Sequence, residues 1–229
     1  SLSRREDRIA LEKMQSFLGD ASHELRTPLT VIKGYSELLA SGQLEDESQR
    51  ARAQERVGNE INRMENIISD LLLLAELGEV KKPTFETVDL SELVRGHAND
   101  FAALYPLRSV SLDIDDVEIQ ANREHLHRFM NNVLGNIGRH TPPAAPVRIS
   151  LKKDGKTKLV IEDGGPGLPQ GMYGESVTHF QRFDKSRSRE KGGSGLGMSI
   201  MQAIAHEHRG TFHVRASELG GVAVEILLP

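Results

Sequence analysis

The chain has 229 residues, enough to bury a sizeable core in one large or two modest domains without covalent staples. With 38% hydrophobic and 27% charged residues, 21 glycines and 9 prolines, it is not collagen-like, low-complexity or wholly disordered. A formal net charge of −4 and the absence of cysteine exclude a globally basic nucleic-acid or membrane binder, disulfides, thiolate metal sites and cysteine nucleophiles.

Five of the 21 glycines precede residue 84 and twelve follow residue 160, so helix is expected first and loops late. Leu11, Met14, Leu18, Ala21, Leu25, Pro28, Ile32, Tyr35 and Leu39 step by alternating threes and fours, the seam of a heptad helix. Gly42 interrupts it. A second seam runs through Val57, Ile61, Met64, Ile68, Leu71 and Ala75, closed by Gly78 and Pro83. Together they predict an antiparallel helical hairpin. Phe17, Leu29, Val31, Leu38, Ile67, Leu72 and Leu74 widen both stripes beyond what two helices cover, which predicts pairing of two hairpins into a dimeric four-helix bundle.

Beyond a linker over 81–88, Asp89 and Glu92 read as an N-cap and N3 pair opening a helix to about Leu104. The alternation from Ser109 to Ile114 and the run Val117 to Ala121 predict strands. Asn122 caps a helix to about Arg139, and Asp154-Gly155 turns a hairpin of Val147–Lys153 and Lys158–Glu162. Residues 163–197 are glycine-rich and irregular, a helix follows from about Leu196 to His208, and strands Thr211–Ala216 and Val222–Leu228 finish the chain. Residues 89–229 therefore read as an α+β domain with helices on one face of a sheet.

In the first seam His23 takes heptad position f, directed away from the a and d residues. Five residues later Pro28 stands inside the helical pattern, where it withdraws the donor owed to the Glu24 carbonyl and is expected to bend the helix. The eight residues Ser22-His23-Glu24-Leu25-Arg26-Thr27-Pro28-Leu29 resemble the H-box of bacterial two-component sensor histidine kinases. A neutral imidazole is a good nucleophile toward a phosphoryl group, and a carboxylate can take up its proton. The resemblance makes His23 the phosphoacceptor, Glu24 the general base, and Thr27, one turn on along the same face, a group that orients water when the partner protein is dephosphorylated.

The later segments match the same family in order. Asn132-Val133-Leu134-Gly135-Asn136-Ile137-Gly138-Arg139-His140-Thr141-Pro142 resembles its N-box, which implies nucleotide contacts from Asn132, Asn136, Arg139 and His140. An amide oxygen is a hard ligand suited to Mg²⁺, and Asn136 is the implied one. Ile137, Arg139 and His140 stand where the family more often has Ala, Lys and Tyr. Asp163-Gly164-Gly165-Pro166-Gly167 resembles the first glycine box, in which a carboxylate accepts the adenine amino group and Gly165 and Gly167 allow close backbone approach. Phe180-Gln181-Arg182-Phe183 resembles the F-box, followed by Asp184 where the family commonly has an aromatic residue. Gly192-Gly193-Ser194-Gly195-Leu196-Gly197 resembles the second glycine box, which implies a phosphate cradle from Gly193, Gly195, Leu196 and Gly197 at a helix start. Between them Lys185, Arg187, Arg189 and Lys191 form a basic run that reads as a lid over the triphosphate.

Gly155-Lys156-Thr157 fails as the end of a P-loop because Ser150 stands where its first glycine belongs, and Gln170 and Met198 break the dinucleotide fingerprints that begin at Gly165 and Gly193. His125 with His127, and His206 with His208, lie two apart on helices and diverge. The resemblance implies a phosphotransfer hairpin over 1–80 and an ATP-binding domain of the GHKL type over 89–229. It implies ATP and Mg²⁺ as cofactors, a homodimer, and a response regulator receiver domain as partner. No apolar run long enough to cross a bilayer occurs, and SLSRREDR is too polar for a signal peptide. The expected setting is a cytoplasmic fragment of a membrane-anchored sensor. A dimeric scaffold that binds a regulator without kinase activity, and a GHKL ATPase acting as a clamp, are the competing expectations; the H-box has no role in the second.

Overall fold

The computed structural model describes residues 2–78, 84–168, 173 and 196–229, with side chains from Leu18 onward. The chain divides into two compact units, Ser1–Leu72 and Leu73–Pro229.

The first unit is built from α1 (Leu2–Ala40) and α2 (Glu47–Leu77, whose last turn lies in the second unit). α1 continues through Pro28. Around that interruption three hydroxyls bond back one turn: Ser22 Oγ donates to Leu18 O at 2.8 Å, Thr27 Oγ1 to His23 O at 3.5 Å and Thr30 Oγ1 to Arg26 O at 2.9 Å. Such back-bonding competes with the helical ladder and accompanies bends. Gly42, at φ +73°, takes the left-handed conformation that ends the helix at low cost. Asp46 then opens α2 by accepting the Ser48 N–H at 3.0 Å.

Within a single chain the second seam is left partly open, with Val57, Met64 and Leu71 half-buried. Along α2 the buried residues are Ala53, Glu60, Arg63, Ile67 and Asp70, a heptad row displaced by one position from the apolar one. Ile61 and Ile68 are each 44% exposed. Because the apolar stripe is wider than one partner helix covers, pattern alone does not choose between two adjacent rows. The buried row carries charge, and Glu60 is paired with Arg56 at 3.3 Å and Arg63 at 3.9 Å, as burial of a carboxylate requires.

The second unit contains β1 (Glu86–Asp89), α3 (Leu90–Leu104), β2 (Val110–Ile114), β3 (Glu118–Ala121), α4 (Arg123–His140), β4 (Val147–Asp154), β5 (Lys156–Asp163), α5 (Gly197–Glu207), β6 (Thr211–Ala216) and β7 (Val222–Leu228). Asp89 caps α3 by accepting the Glu92 N–H, and Asn122 caps α4 by accepting the His125 N–H. β1 corrects the expected linker: it pairs antiparallel with β3, with Val88 opposite Ile119. The main sheet has the order β2-β4-β5-β7-β6, with β2 and β4 parallel and the other neighbours antiparallel.

β4 buries alternate residues, Val147, Ile149 and Leu151, the signature of a strand covered on one face. Register places Asp163, Ile161 and Leu159 of β5 opposite them. Asp163 thus ends an apolar row, on the face where α4 contributes Leu126, Phe129, Met130, Val133, Leu134 and Ile137 to the core and α5 contributes Ile200, Met201 and Ile204. Burying each such side chain stabilises the fold by roughly 1.5–3 kcal/mol. α5 packs on α4, which brings the start of α5 to the polar side of α4.

Candidate functional site

In the first unit His23 is exposed, as position f requires, whereas Glu24 is only 5% exposed. Successive helical residues do not face each other, so one presents a ring to solvent and the other a carboxylate to the interior. Pro28 is buried and Thr27 half-buried. The Thr27 hydroxyl lies one turn after His23, spent on the His23 carbonyl.

In the second unit the last residue of β5 sits in a cradle of glycines. Asp163 is 5% exposed, and its Oδ1 accepts the Gly165 N–H at 2.8 Å. The Gly221 N–H donates to the Asp163 carbonyl at 3.1 Å. No side chain fits at either glycine: a Cβ on Gly221 would overlap Asp163 Oδ1, and one on Gly165 would lie 2.7 Å from Thr141 Cγ2 and 2.9 Å from Asp163 Oδ1. Burial pushes the Asp163 carboxyl above the usual carboxylate range, against the Gly165 and Val222 N–H groups and the positive charge of Arg108, which pull it down. A buried carboxylate at the end of a strand, with glycine backbone packed against it, is a group that can accept hydrogen bonds from a ligand.

The polar side of α4 meets the start of α5. A Cβ at Gly197, the first residue of α5, would lie 3.0 Å from Asn132 Oδ1 and 3.7 Å from Asn136 Nδ2. Asn132 Nδ2 donates to Arg128 O at 2.9 Å, and Arg139 Nη2 donates to Asn136 Oδ1 at 2.9 Å. Leu196 precedes the helix, is 3% exposed, and offers no side-chain cap. Arg139 and His140 occupy the last turn of α4, both half-buried. Gly167, at φ +72°, lies close to Tyr173, whose hydroxyl accepts the Leu168 N–H at 2.8 Å.

Two families match in tandem. The His Kinase A (phospho-acceptor) domain matches residues 13–79, and the histidine kinase-, DNA gyrase B- and HSP90-like ATPase matches residues 121–229. The chain belongs to the sensor histidine kinases. It is 37% identical over 209 residues, 89% of its length, to 43% of the probable sensor histidine kinase TcrY of Mycobacterium tuberculosis. Among solved structures, the mycobacterial sensor histidine kinase MprB is 28% identical, with TM-score 0.55 over 64% of this chain and 97% of that one. The histidine kinase ThkA, in complex with response regulator protein TrrA, shares the fold at TM-score 0.73 and 22% identity, over 99% of this chain and 64% of that one. The chain spans less than half the length of the first relatives it matches. Among the described residues no helix is long and apolar enough to cross a membrane.

Within this sensor histidine kinase, the structure brings Asn132, Asn136 and Gly197 together, and Asp163 with Gly165. Lys185, Gly193 and Gly195 lie outside the described residues, as do the F-box segment, Asp184, Gly192 and the cations Arg187, Arg189 and Lys191. His125 and His127 diverge as expected. His125 bonds Glu207 at 2.6 Å, His127 meets His97 at 2.8 Å, and the His208 ring accepts the Asn122 N–H at 3.0 Å while stacking on Phe85. Among the described residues no cluster of three acidic or histidine ligands forms a metal site. Sequence reasoning missed Gly221 and Arg108. A Gly-Gly pair signals a turn, yet nothing in sequence places it over Asp163; for Arg108 no sequence signal exists.

Proposed function

We propose that this chain binds ATP in the second unit and transfers its γ-phosphoryl group to an imidazole nitrogen of His23, with ADP leaving, and that the phosphoryl group then passes to an aspartate of a response regulator receiver domain. The observation that carries this reading is the Asp163 cradle: a buried carboxylate whose neighbours Gly165 and Gly221 leave no room for a side chain. Asp163 accepts the adenine amino group, Gly165 and Gly167 admit the base, and Asn132, Arg139, His140, Leu196 and Gly197 contact the ribose and phosphates; the resemblance assigns Lys185, Gly193 and Gly195 to the phosphates as well. Mg²⁺ fits beside Asn136, since a single amide oxygen suffices for an ion that keeps most of its shell as water and phosphate oxygen. Asn136 Oδ1 must then exchange the Arg139 guanidinium for the cation. When bound, the ion supplies charge neutralisation at the phosphates.

Glu24 takes the proton released from the His23 ring once its carboxylate turns out from the interior, and Thr27 holds the water that dephosphorylates the partner once its hydroxyl leaves the His23 carbonyl. Leu18, Leu29, Ile61, Ile68 and Leu72, each at least 44% exposed, are the apolar surface that supports a homodimer through a four-helix bundle. Calorimetric titration with ATP and with GTP tests the pocket. Asp163→Asn should weaken ATP by about 10- to 150-fold, the loss of a charge-assisted hydrogen bond of roughly 1.5–3 kcal/mol. Equal ATP affinity in wild type and variant would overturn the assignment.

A further inference from the structure

Arg108 sits in the loop between α3 and β2 and is 7% exposed. Among the described residues no carboxylate lies within ion-pair distance of it, and its Nε finds no hydrogen-bond acceptor. A buried cation without a carboxylate partner costs stability, and replacement by an apolar side chain is often neutral or better. What it holds is therefore the question. Nη1 donates to Thr141 Oγ1 at 2.6 Å and to Ala145 O at 3.3 Å, and Nη2 donates to Thr141 O at 3.4 Å. The guanidinium lies over the rings of Tyr105 at 5.1 Å and Phe101 at 5.7 Å, which fixes its plane.

Thr141 is the C-cap of α4, and its hydroxyl donates to Ile137 O at 2.7 Å. One threonine oxygen thus joins the guanidinium to the last turn of the helix that carries Asn132 and Asn136. The cation also complements the negative end of that helix. The other branch of Thr141 fills the space where Gly165 has no Cβ, and the Gly165 N–H is the donor to Asp163. Tyr105 closes the same corner, with its phenol in the notch left by Gly138.

We propose that Arg108 is a positioning residue of the nucleotide site: its buried fork clamps the end of α4 through Thr141 and so fixes the Gly165 turn that presents Asp163. This rests on the reading of Asp163 as the base acceptor. The groups around Asp163 come from the β5 exit (Gly165), the α4 cap (Thr141), the β6–β7 turn (Gly221 and Val222) and the α3–β2 loop. Arg108 is the one charged side chain among the described residues that acts on Asp163. Burial raises the Asp163 carboxyl, the Gly165 and Val222 N–H groups lower it, and the charge of Arg108 adds a smaller pull in the same lowering direction.

The test compares the full chain as wild type, Arg108→Lys and Arg108→Met, with ADP as probe. Two quantities are read: ADP affinity by calorimetry at neutral pH, and titration of the Asp163 carboxyl carbon by NMR without nucleotide. Arg108→Met should bind ADP about tenfold more weakly or worse, the loss of a hydrogen bond to a charged group, and its Asp163 should titrate at higher pH than in wild type. Arg108→Lys keeps charge and loses the fork, so it should restore the titration without the affinity. Unaltered affinity and titration in folded Arg108→Met would overturn the proposal. If that variant does not fold, wild-type ADP affinity in Arg108→Lys overturns it and a loss supports it. Failure of the wild type to bind ADP would instead overturn the nucleotide reading, and the titration alone would decide whether Arg108 controls Asp163.

Discussion

Gly221→Ala adds one methyl group at the point where the β6–β7 turn crosses the end of β5. The new Cβ would overlap Asp163 Oδ1 and lie 2.5 Å from Asp163 O and 2.6 Å from Gly165 N. Two of these three atoms are backbone, so no rotamer change relieves the contact, and the turn or the strand end must move. Overpacking of this kind costs about 1–3 kcal/mol, a fall in melting temperature of about 2–4 °C per kcal/mol for a domain of this size. The displaced carboxylate also loses its alignment, so ATP should weaken by the same 10- to 150-fold range expected for losing the bond altogether. Gly220→Ala is the matched control. Gly220 has φ +104° and open space around its Cβ position, so alanine there strains the backbone by roughly 1–2 kcal/mol without touching Asp163. Melting curves with calorimetric ATP titrations should show both variants destabilised and only Gly221→Ala impaired in binding. Wild-type affinity in Gly221→Ala, or equal losses in both variants, would refute the cradle.

Thr27→Ala removes the hydroxyl one turn from His23 and leaves a good helix former. Phosphorylation of His23 should be largely kept while decay of the phosphorylated regulator slows about tenfold for each 1.4 kcal/mol of barrier lost; equal decay rates would assign Thr27 to the helix alone. His125 has a native pKa raised above its ordinary 6.5, first by its hydrogen bond to Glu207 and then by the charges of Glu207 and Glu124, against burial. Its stabilising contribution is complete below 6.5 and is lost as pH rises through the raised native value, so the melting-temperature gap between wild type and His125→Ala should narrow with rising pH. A gap independent of pH would show that the pair does not link protonation to folding.

Where local chemistry decides structure, the sequence was sufficient. Asp89 and Asn122 cap their helices as their residue types require, and Asp154-Gly155 turns the β4–β5 hairpin with Gly155 at φ +67°. β1 was not legible, because four residues with Val88 alone buried carry no alternation, and its pairing with β3 spans more than 25 residues. The row of α2 that one chain buries, Ala53, Glu60, Arg63, Ile67 and Asp70, was not legible, because it carries charge beside an apolar stripe that is wider than one helix covers. Of the motif residues, the structure brings Asn132, Asn136 and Gly197 together and sets Asp163 beside Gly165. Gly221 and Arg108 act through closeness in space to Asp163 and Thr141, which no local pattern encodes.

On the proposed function, His23 accepts phosphate from ATP held by the second unit. Incubation of the chain with γ-labelled ATP, followed by acid and alkali treatment and mass-spectrometric mapping, tests it most directly. The expected label is acid-labile and alkali-stable, located on His23, and absent from His23→Gln even though that variant binds ATP as wild type does. Acid-labile label persisting in His23→Gln, or wild-type protein that binds ATP and Mg²⁺ yet acquires no label, would contradict it.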